Sequence, residues 1–202
     1  MTTSAVPPDK PAGLALALVI AGALAALQIS GVVQELTRGH DFETPPAVGG
    51  QLPPASEKAL REHLARFQAR MLEVRNPRRM LALAALSLPA ALFTIAAAFQ
   101  LNRRKRSAVR WLSYALAALL VVEVIDLVMA FQMFRVMQSF ANELPRALVP
   151  AGAAVAESPG SLLAAIVQSP FLLVLVWQVA QIAACLHALR QVRLPAVRAW
   201  VS

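Results

Sequence analysis

Four apolar runs, each long enough to cross a lipid bilayer, constrain this chain more than any other feature. They cover residues 12–33, 80–101, 111–134 and 162–188. A helix needs about 20 apolar residues to cross a hydrocarbon core of about 30 Å. Segments exposed to lipid must also satisfy their backbone hydrogen bonds internally, which favours helices. The sequence therefore predicts an all-α integral membrane four-helix bundle, with residues 1–202 forming a single transmembrane domain.

The composition supports a membrane protein over a soluble one. The chain is 58% hydrophobic and 15% charged, whereas soluble domains are about 45–50% apolar and about 25% charged. The net charge of +8 does not predict nucleic-acid binding, because most basic residues cluster beside the apolar runs. The expected partner of these residues is the lipid bilayer. Cys185 is the only cysteine, so the chain cannot form an intramolecular disulfide.

The distribution of basic residues predicts the orientation. The link 102–110 holds five basic residues in nine, and so dense a cluster favours the cytoplasmic side. Both termini are then expected to be cytoplasmic, although the total count of Lys and Arg is nearly balanced, at nine inside and ten outside. The first run is expected to be a retained helix, because it exceeds the apolar stretch of about 7–15 residues in a signal peptide. Arginine outnumbers lysine by 16 to 3 and alanine is abundant, which suggests a GC-rich bacterial genome. The expected location is therefore a bacterial inner membrane.

The long first loop contains a further helix. Residues 55–74 carry one apolar stripe at helical spacing, formed by Leu60, Leu64, Phe67, Met71 and Val74. The sequence predicts an amphipathic helix outside the membrane, with His63 beside the stripe as an interfacial side chain. This helix either docks onto the spanning helices or binds an extracytoplasmic partner. In the last loop, the third run is expected to continue as a helix to about Glu143 and to stop at Pro145.

Small residues at four-residue spacing indicate where helices approach closely. The predicted packing faces contain Gly22, Ala26 and Ser30 in the first run, and Ser87, Ala91, Thr94 and Ala98 in the second.

Two acids, Glu123 and Asp126, lie within the third run. From Trp111 to Glu123 a helix rises only about 18 Å, so the run cannot cross the bilayer without including them. The i, i+3 spacing puts both acids on one helix face. A charged acid at this depth costs at least about 2.5–3.5 kcal/mol, which favours keeping one of them protonated.

Glutamines in the other runs are the expected partners of these acids. The candidates for a polar or ion site within the membrane are Glu123, Asp126, Gln168, Gln178, Gln181 and Gln28. The four runs contain no Lys or Arg. The acids therefore either fix the helix register through hydrogen bonds, handle a proton or cation, or pair with a basic residue of another subunit.

The remaining polar residues predict no enzyme. His40, Asp41 and Glu43 fit no strong metal motif, and no phosphate-binding loop, zinc pattern or activated nucleophile is present. We therefore predict no catalytic, cofactor or metal site. The leading interpretation is a non-enzymatic accessory or assembly subunit with a protein partner or as a homo-oligomer. The alternatives are a proton- or cation-handling channel or transport subunit, and a membrane sensor.

Overall fold

The computed structural model describes residues 10–37, 54–148 and 157–201, with their side chains except at 36, 54–57, 144–148 and 157–171. Within these ranges every regular element is an α-helix. The helices are α1 (Ala12–Thr37), α2 (Pro54–Val74), α3 (Pro77–Asn102), α4 (Arg106–Leu148), α5 (Glu157–Val192) and α6 (Pro195–Trp200). Four helices are long and apolar enough to cross a membrane. The all-helical fold and the four candidate spans are confirmed.

Helix α4 is longer than the apolar run from which it was predicted. It has 43 residues, which corresponds to about 65 Å at 1.5 Å per residue. It ends at Leu148, so the prediction that Pro145 stops it is wrong. A proline inside a helix removes one backbone donor and crowds the carbonyl of the preceding turn, which can kink a helix without ending it.

The boundary between α2 and α3 lies at Asn76 and Pro77, because the residue before a proline is disfavoured in a helix. The backbone N–H of Arg78 donates to Asn76 Oδ1 at 2.9 Å, which caps the start of α3. Pro77 is the first residue of α3, a position where its missing N–H costs no helical hydrogen bond.

The basic link between α3 and α4 forms a tight turn. The N–H of Arg104 donates to Leu101 O at 2.9 Å, and that of Lys105 donates to Gln100 O at 3.2 Å. This is a Schellman cap with Arg104 at the left-handed position, at φ 58°. The Arg104 guanidinium lies 4.9 Å from the ring centroid of Trp200. This cation–π contact offsets part of the cost of the left-handed conformation.

The chain divides into two compact units. The first unit comprises residues 1–37, 81–124 and 179–202, and the second comprises 38–80 and 125–178. Most of the buried apolar side chains belong to the first unit, in α1, α3, α4, α5 and α6. Many of them are alanines, which allow the helix backbones to approach closely.

The face of α1 that packs in the first unit is not the predicted one. Ala17, Ala21 and Ala25 are fully buried. A Cβ added at Gly22 would meet no atom within 4 Å, while Ala26 and Ser30 are exposed. The two faces have the same small-residue spacing, so spacing could not distinguish them. On α3 the prediction is confirmed, since Ser87, Ala91 and Thr94 are buried.

Contacts at one end of the first unit bring together three distant parts of the chain. Lys10 Nζ, before α1, donates to Asn102 Oδ1 at the end of α3 at 2.9 Å. Gly13 in the first turn of α1 lies against the side chain of Gln191, near the end of α5. The start of α1, the basic link and the end of α5 therefore lie at the same end of this unit.

In the second unit, α2 packs against the last part of α4. The rings of His63 and Phe67 lie 4.9 and 4.5 Å from the ring of Phe140, between centroids. Arg70 Nη1 donates to Ser139 Oγ at 3.2 Å. The helix predicted over 55–74 is therefore present, and its stripe side is half-buried.

Candidate functional site

Glu123 lies inside the first unit and has no exposed surface. It is positioned by α4, whose neighbouring residues Leu119 and Val122 are also fully buried. Among the described side chains, Glu123 is the only buried carboxyl group. A carboxyl group in such surroundings is stable only when it is hydrogen-bonded.

Gln28 of α1 supplies one of those hydrogen bonds. Its Nε2 donates to Glu123 Oε1 at 2.9 Å. Gln28 is half-buried and lies past the middle of α1. This bond joins α1 to α4 through two side chains that were both predicted as members of the polar site. An amide N–H can donate to a carboxylate or to the carbonyl oxygen of a neutral acid, so the contact serves either protonation state.

Helix α5 adds two buried polar side chains to the same unit. Gln181 is 8% exposed, and Cys185, one turn later, is fully buried. The Cys185 thiol donates to the backbone oxygen of Leu116 at 3.3 Å, which fixes this part of α5 against α4. The sequence predicts Gln181 as a candidate for the polar site, but it does not predict the backbone acceptor of Cys185.

Asp126 and Gln178 belong to the second unit. Each of them is half-buried. Helix α4 is continuous from Glu123 to Asp126, as the i, i+3 prediction requires, but the two carboxyl groups differ in burial. Only Glu123 is enclosed. Gln168 lies in α5, and its side chain is outside the described residues.

Hydroxyl groups inside the first unit are satisfied within their own helices. Thr94 donates to Ala90 O and Ser113 donates to Val109 O, both at 2.8 Å. Ser87 donates to Ala84 O at 3.3 Å. Such bonds to the preceding turn leave these groups with no role in joining helices, in contrast to Glu123 and Gln28.

The histidines lie apart from Glu123 along the chain. His63 was expected to be an interfacial side chain, but it is 8% exposed, because its ring stacks on Phe140 and its Nε2 donates to the Phe140 oxygen at 3.4 Å. Glu143 lies 3.8 Å from His63 Nδ1. The sequence missed this cluster, whose only signal was the spacing of Ser139 and Glu143 by one helical turn. His187 is exposed near the end of α5.

The described residues hold no group of three His, Cys, Asp or Glu side chains that could bind a metal ion. His40, Asp41 and Glu43 lie outside the described residues. The site formed by Glu123 and Gln28 therefore provides a buried acid and an amide partner, which can fix helix register or hold a proton. Comparison of the chain with protein-family models, with curated proteins and with solved structures found no match.

Proposed function

We propose that this chain is a non-enzymatic accessory or assembly subunit of a membrane complex, and that Glu123 serves to fix its helix packing. The observation that carries the proposal is the enclosure of Glu123 in an apolar core with Gln28 bonded to it at 2.9 Å. A group that reacts with a substrate needs an accessible surface, and Glu123 has none in this conformation.

A register-fixing role agrees with the energetics of polar groups in membranes. Hydrogen bonds between spanning helices contribute about 0.6 kcal/mol on average and up to about 1.7 kcal/mol. The larger effect is the penalty for a wrong register, because it would leave a carboxyl group in hydrocarbon without this donor. Glu123 and Gln28 therefore select one alignment of α1 on α4.

The second unit has an apolar surface that is compatible with a partner chain. Its described spanning segments expose large apolar residues, among them Val128, Phe131, Leu173, Val176 and Trp177, each more than half exposed. In a membrane, either lipid chains or the apolar face of a second chain would cover these side chains.

The charge distribution supports the predicted orientation. Lys10 and Asn102, and Gly13 and Gln191, bring the start of α1, the basic link and the end of α5 to one end of the first unit. Under the positive-inside rule this end faces the cytoplasm. Helix α2 then lies on the outer face, and the chain resides in a bacterial inner membrane.

Proton or cation handling is the second candidate. This function is favoured because Glu123, an ionisable group, is fully buried within a helix that could span the membrane. Such residues often mark ion pathways. In this function Glu123 would release and rebind a proton during a conformational change that exposes it.

Glu123→Gln separates the two candidates, because it keeps the size and the hydrogen-bonding capacity of the side chain but carries no titratable proton. The full chain is reconstituted in liposomes, and proton flux is followed with a pH-sensitive dye. The accessory role predicts no flux in the wild type, and a variant that folds and assembles normally. Flux in the wild type that is lost in Glu123→Gln and retained in Gln132→Ala, an exposed change on the same helix, would favour proton handling.

Assembly is tested by purifying the tagged chain from its own membranes in a mild detergent. The proposal predicts a complex of fixed stoichiometry, with a second protein or with further copies of this chain. A monodisperse monomer under these conditions contradicts it.

A further inference from the structure

A recess of about 570 Å³ lies in the first unit, between the start of α4 and the corner that joins α5 to α6. Its volume falls within the range of about 300–1,000 Å³ that is usual for ligand sites. The lining residues are Arg106, Val109, Arg110, Ser113 and Tyr114 from α4, and Arg193, Arg198 and Val201 from the C-terminal corner.

The recess is strongly positive. Four of its eight lining residues are arginines, and no carboxyl group is among them. Asp and Glu are also absent nearby along the chain, since residues 74–122 and 158–202 contain neither. The positive charge is therefore concentrated in a concave site, where it attracts an anion.

Guanidinium groups indicate the chemistry of that anion. Arginine presents a planar fork of N–H donors that matches the oxygens of a phosphate in pairs. Arg110, Arg193 and Arg198 are all exposed, so their side chains can turn towards a ligand in the recess. The Tyr114 side chain lies at the same site and provides a neutral donor.

The position of the recess along α4 favours a lipid as the source of the phosphate. The apolar run of α4 begins at Trp111, directly after Arg110. Trp111 and Tyr114 are 49% and 62% exposed, as expected of aromatic side chains at the level of the lipid head groups. Val109 and Val201 contribute apolar side chains to the lining of the same recess.

We propose that this recess binds the phosphate of an anionic phospholipid, with the acyl chains lying along the exposed surface of α4 beside Tyr114. Basic pockets between membrane helices on the cytoplasmic side are known to take such head groups. A zwitterionic phospholipid is a poorer ligand, because its ammonium group is repelled by the remaining arginines.

The test is native mass spectrometry of the full chain in detergent, titrated with phosphatidylglycerol or with phosphatidylcholine of the same acyl chains. The double variant Arg110→Gln, Arg193→Gln removes two guanidinium groups from the recess. At about 1 kcal/mol for each basic residue near a membrane surface, we expect its affinity for phosphatidylglycerol to fall about thirtyfold. The wild type should prefer phosphatidylglycerol by at least about tenfold, which corresponds to 1.4 kcal/mol.

The matched control is Arg78→Gln, Arg79→Gln, which removes the same charge from two exposed residues at the start of α3. It should bind phosphatidylglycerol like the wild type. A second variant, Arg110→Lys, Arg193→Lys, keeps the charge but loses the planar forks, and should bind with intermediate affinity.

Three results would overturn the proposal. One is equal affinity of the wild type for the two lipids. Another is an equal loss of affinity in the control, which would indicate attraction to net charge rather than to a site. The third is displacement of phosphatidylglycerol by millimolar inorganic phosphate, which would make the ligand a soluble phosphate.

Discussion

Replacing Gln28 by methionine tests whether the hydrogen bond between α1 and α4 stabilises the fold. Gln28→Met keeps the length of the side chain but removes the Nε2 donor that lies 2.9 Å from Glu123 Oε1. Glu123 remains fully buried, so the change withdraws a partner from a group that cannot turn to solvent. The reverse change, Glu123→Met, leaves only the half-buried amide of Gln28.

The expected losses in the free energy of unfolding follow from this difference in burial between Glu123 and Gln28. Removing one partner from a buried polar group costs about 1–3 kcal/mol, whereas removing both partners is nearly neutral. We therefore expect Gln28→Met to lower the free energy of unfolding by about 2 kcal/mol. Glu123→Met should lower it less, and the double variant should resemble Glu123→Met. The coupling free energy between the two positions should then equal the loss caused by Gln28→Met alone, about 2 kcal/mol.

The assay is reversible unfolding of the full chain in mixed micelles, with a rising fraction of an ionic detergent and helicity followed by circular dichroism. Ser113→Ala is the control, because the Ser113 hydroxyl donates to the carbonyl of Val109 in its own helix. Its effect should add to that of Gln28→Met. Additive effects of Gln28→Met and Glu123→Met would refute the reasoning, as would a Gln28→Met variant as stable as the wild type.

Two further predictions concern packing. Ala21→Leu inserts a large side chain at a fully buried position and should lower the free energy of unfolding by about 1–3 kcal/mol in the same assay. Gly22→Leu is the control and should not destabilise the chain, because a Cβ at this position meets no atom within 4 Å. Equal losses of stability in the two variants would contradict the packing of the Ala21 face of α1. Phe140→Ala removes the ring on which His63 and Phe67 pack. Each aromatic pair contributes about 0.5–1.5 kcal/mol to the docking of α2, so limited trypsin digestion should cleave α2 at its arginines at least about fivefold faster than in the wild type. The exposed Phe131 offers the control Phe131→Ala, and equal cleavage rates in the two variants would contradict the docking of α2 on Phe140.

Hydrophobic length predicts most of the architecture, because a bilayer imposes it. The apolar runs 12–33 and 80–101 lie within α1 and α3, and the helix predicted over 55–74 lies within α2. Helix ends in polar surroundings were harder to predict. The end of α4 passes Pro145 and reaches Leu148, since a proline can kink a helix without ending it. The short helix α6 carries too few residues for any periodic signal.

The residues of the candidate site could be predicted from the sequence, but which glutamine pairs with Glu123 could be predicted only in part. A buried acid within an apolar run requires a hydrogen-bonding partner, and Gln28 was one of several glutamines that could provide it. Whether Gln28 reaches Glu123 depends on the rotation of α1 about its own axis, and the spacing of small residues does not determine that rotation. The alternative face with Ala17, Ala21 and Ala25 has the same period. Trp200 shows the same limit, because it is 6% exposed under Arg104, a contact that the sequence does not predict.

Labelling of single cysteines by a membrane-impermeant maleimide in intact cells tests the topology and the burial of Glu123 most directly. The native Cys185 is first replaced by alanine, and cysteine is introduced by Ala69→Cys in α2, by Ser107→Cys at the start of α4, or by Glu123→Cys. Ala69 and Ser107 are both exposed. We predict that position 69 is labelled in intact cells, position 107 only after the membrane is permeabilised, and position 123 in neither case. Labelling of position 123 in intact cells, or of position 107 before permeabilisation, would contradict the account.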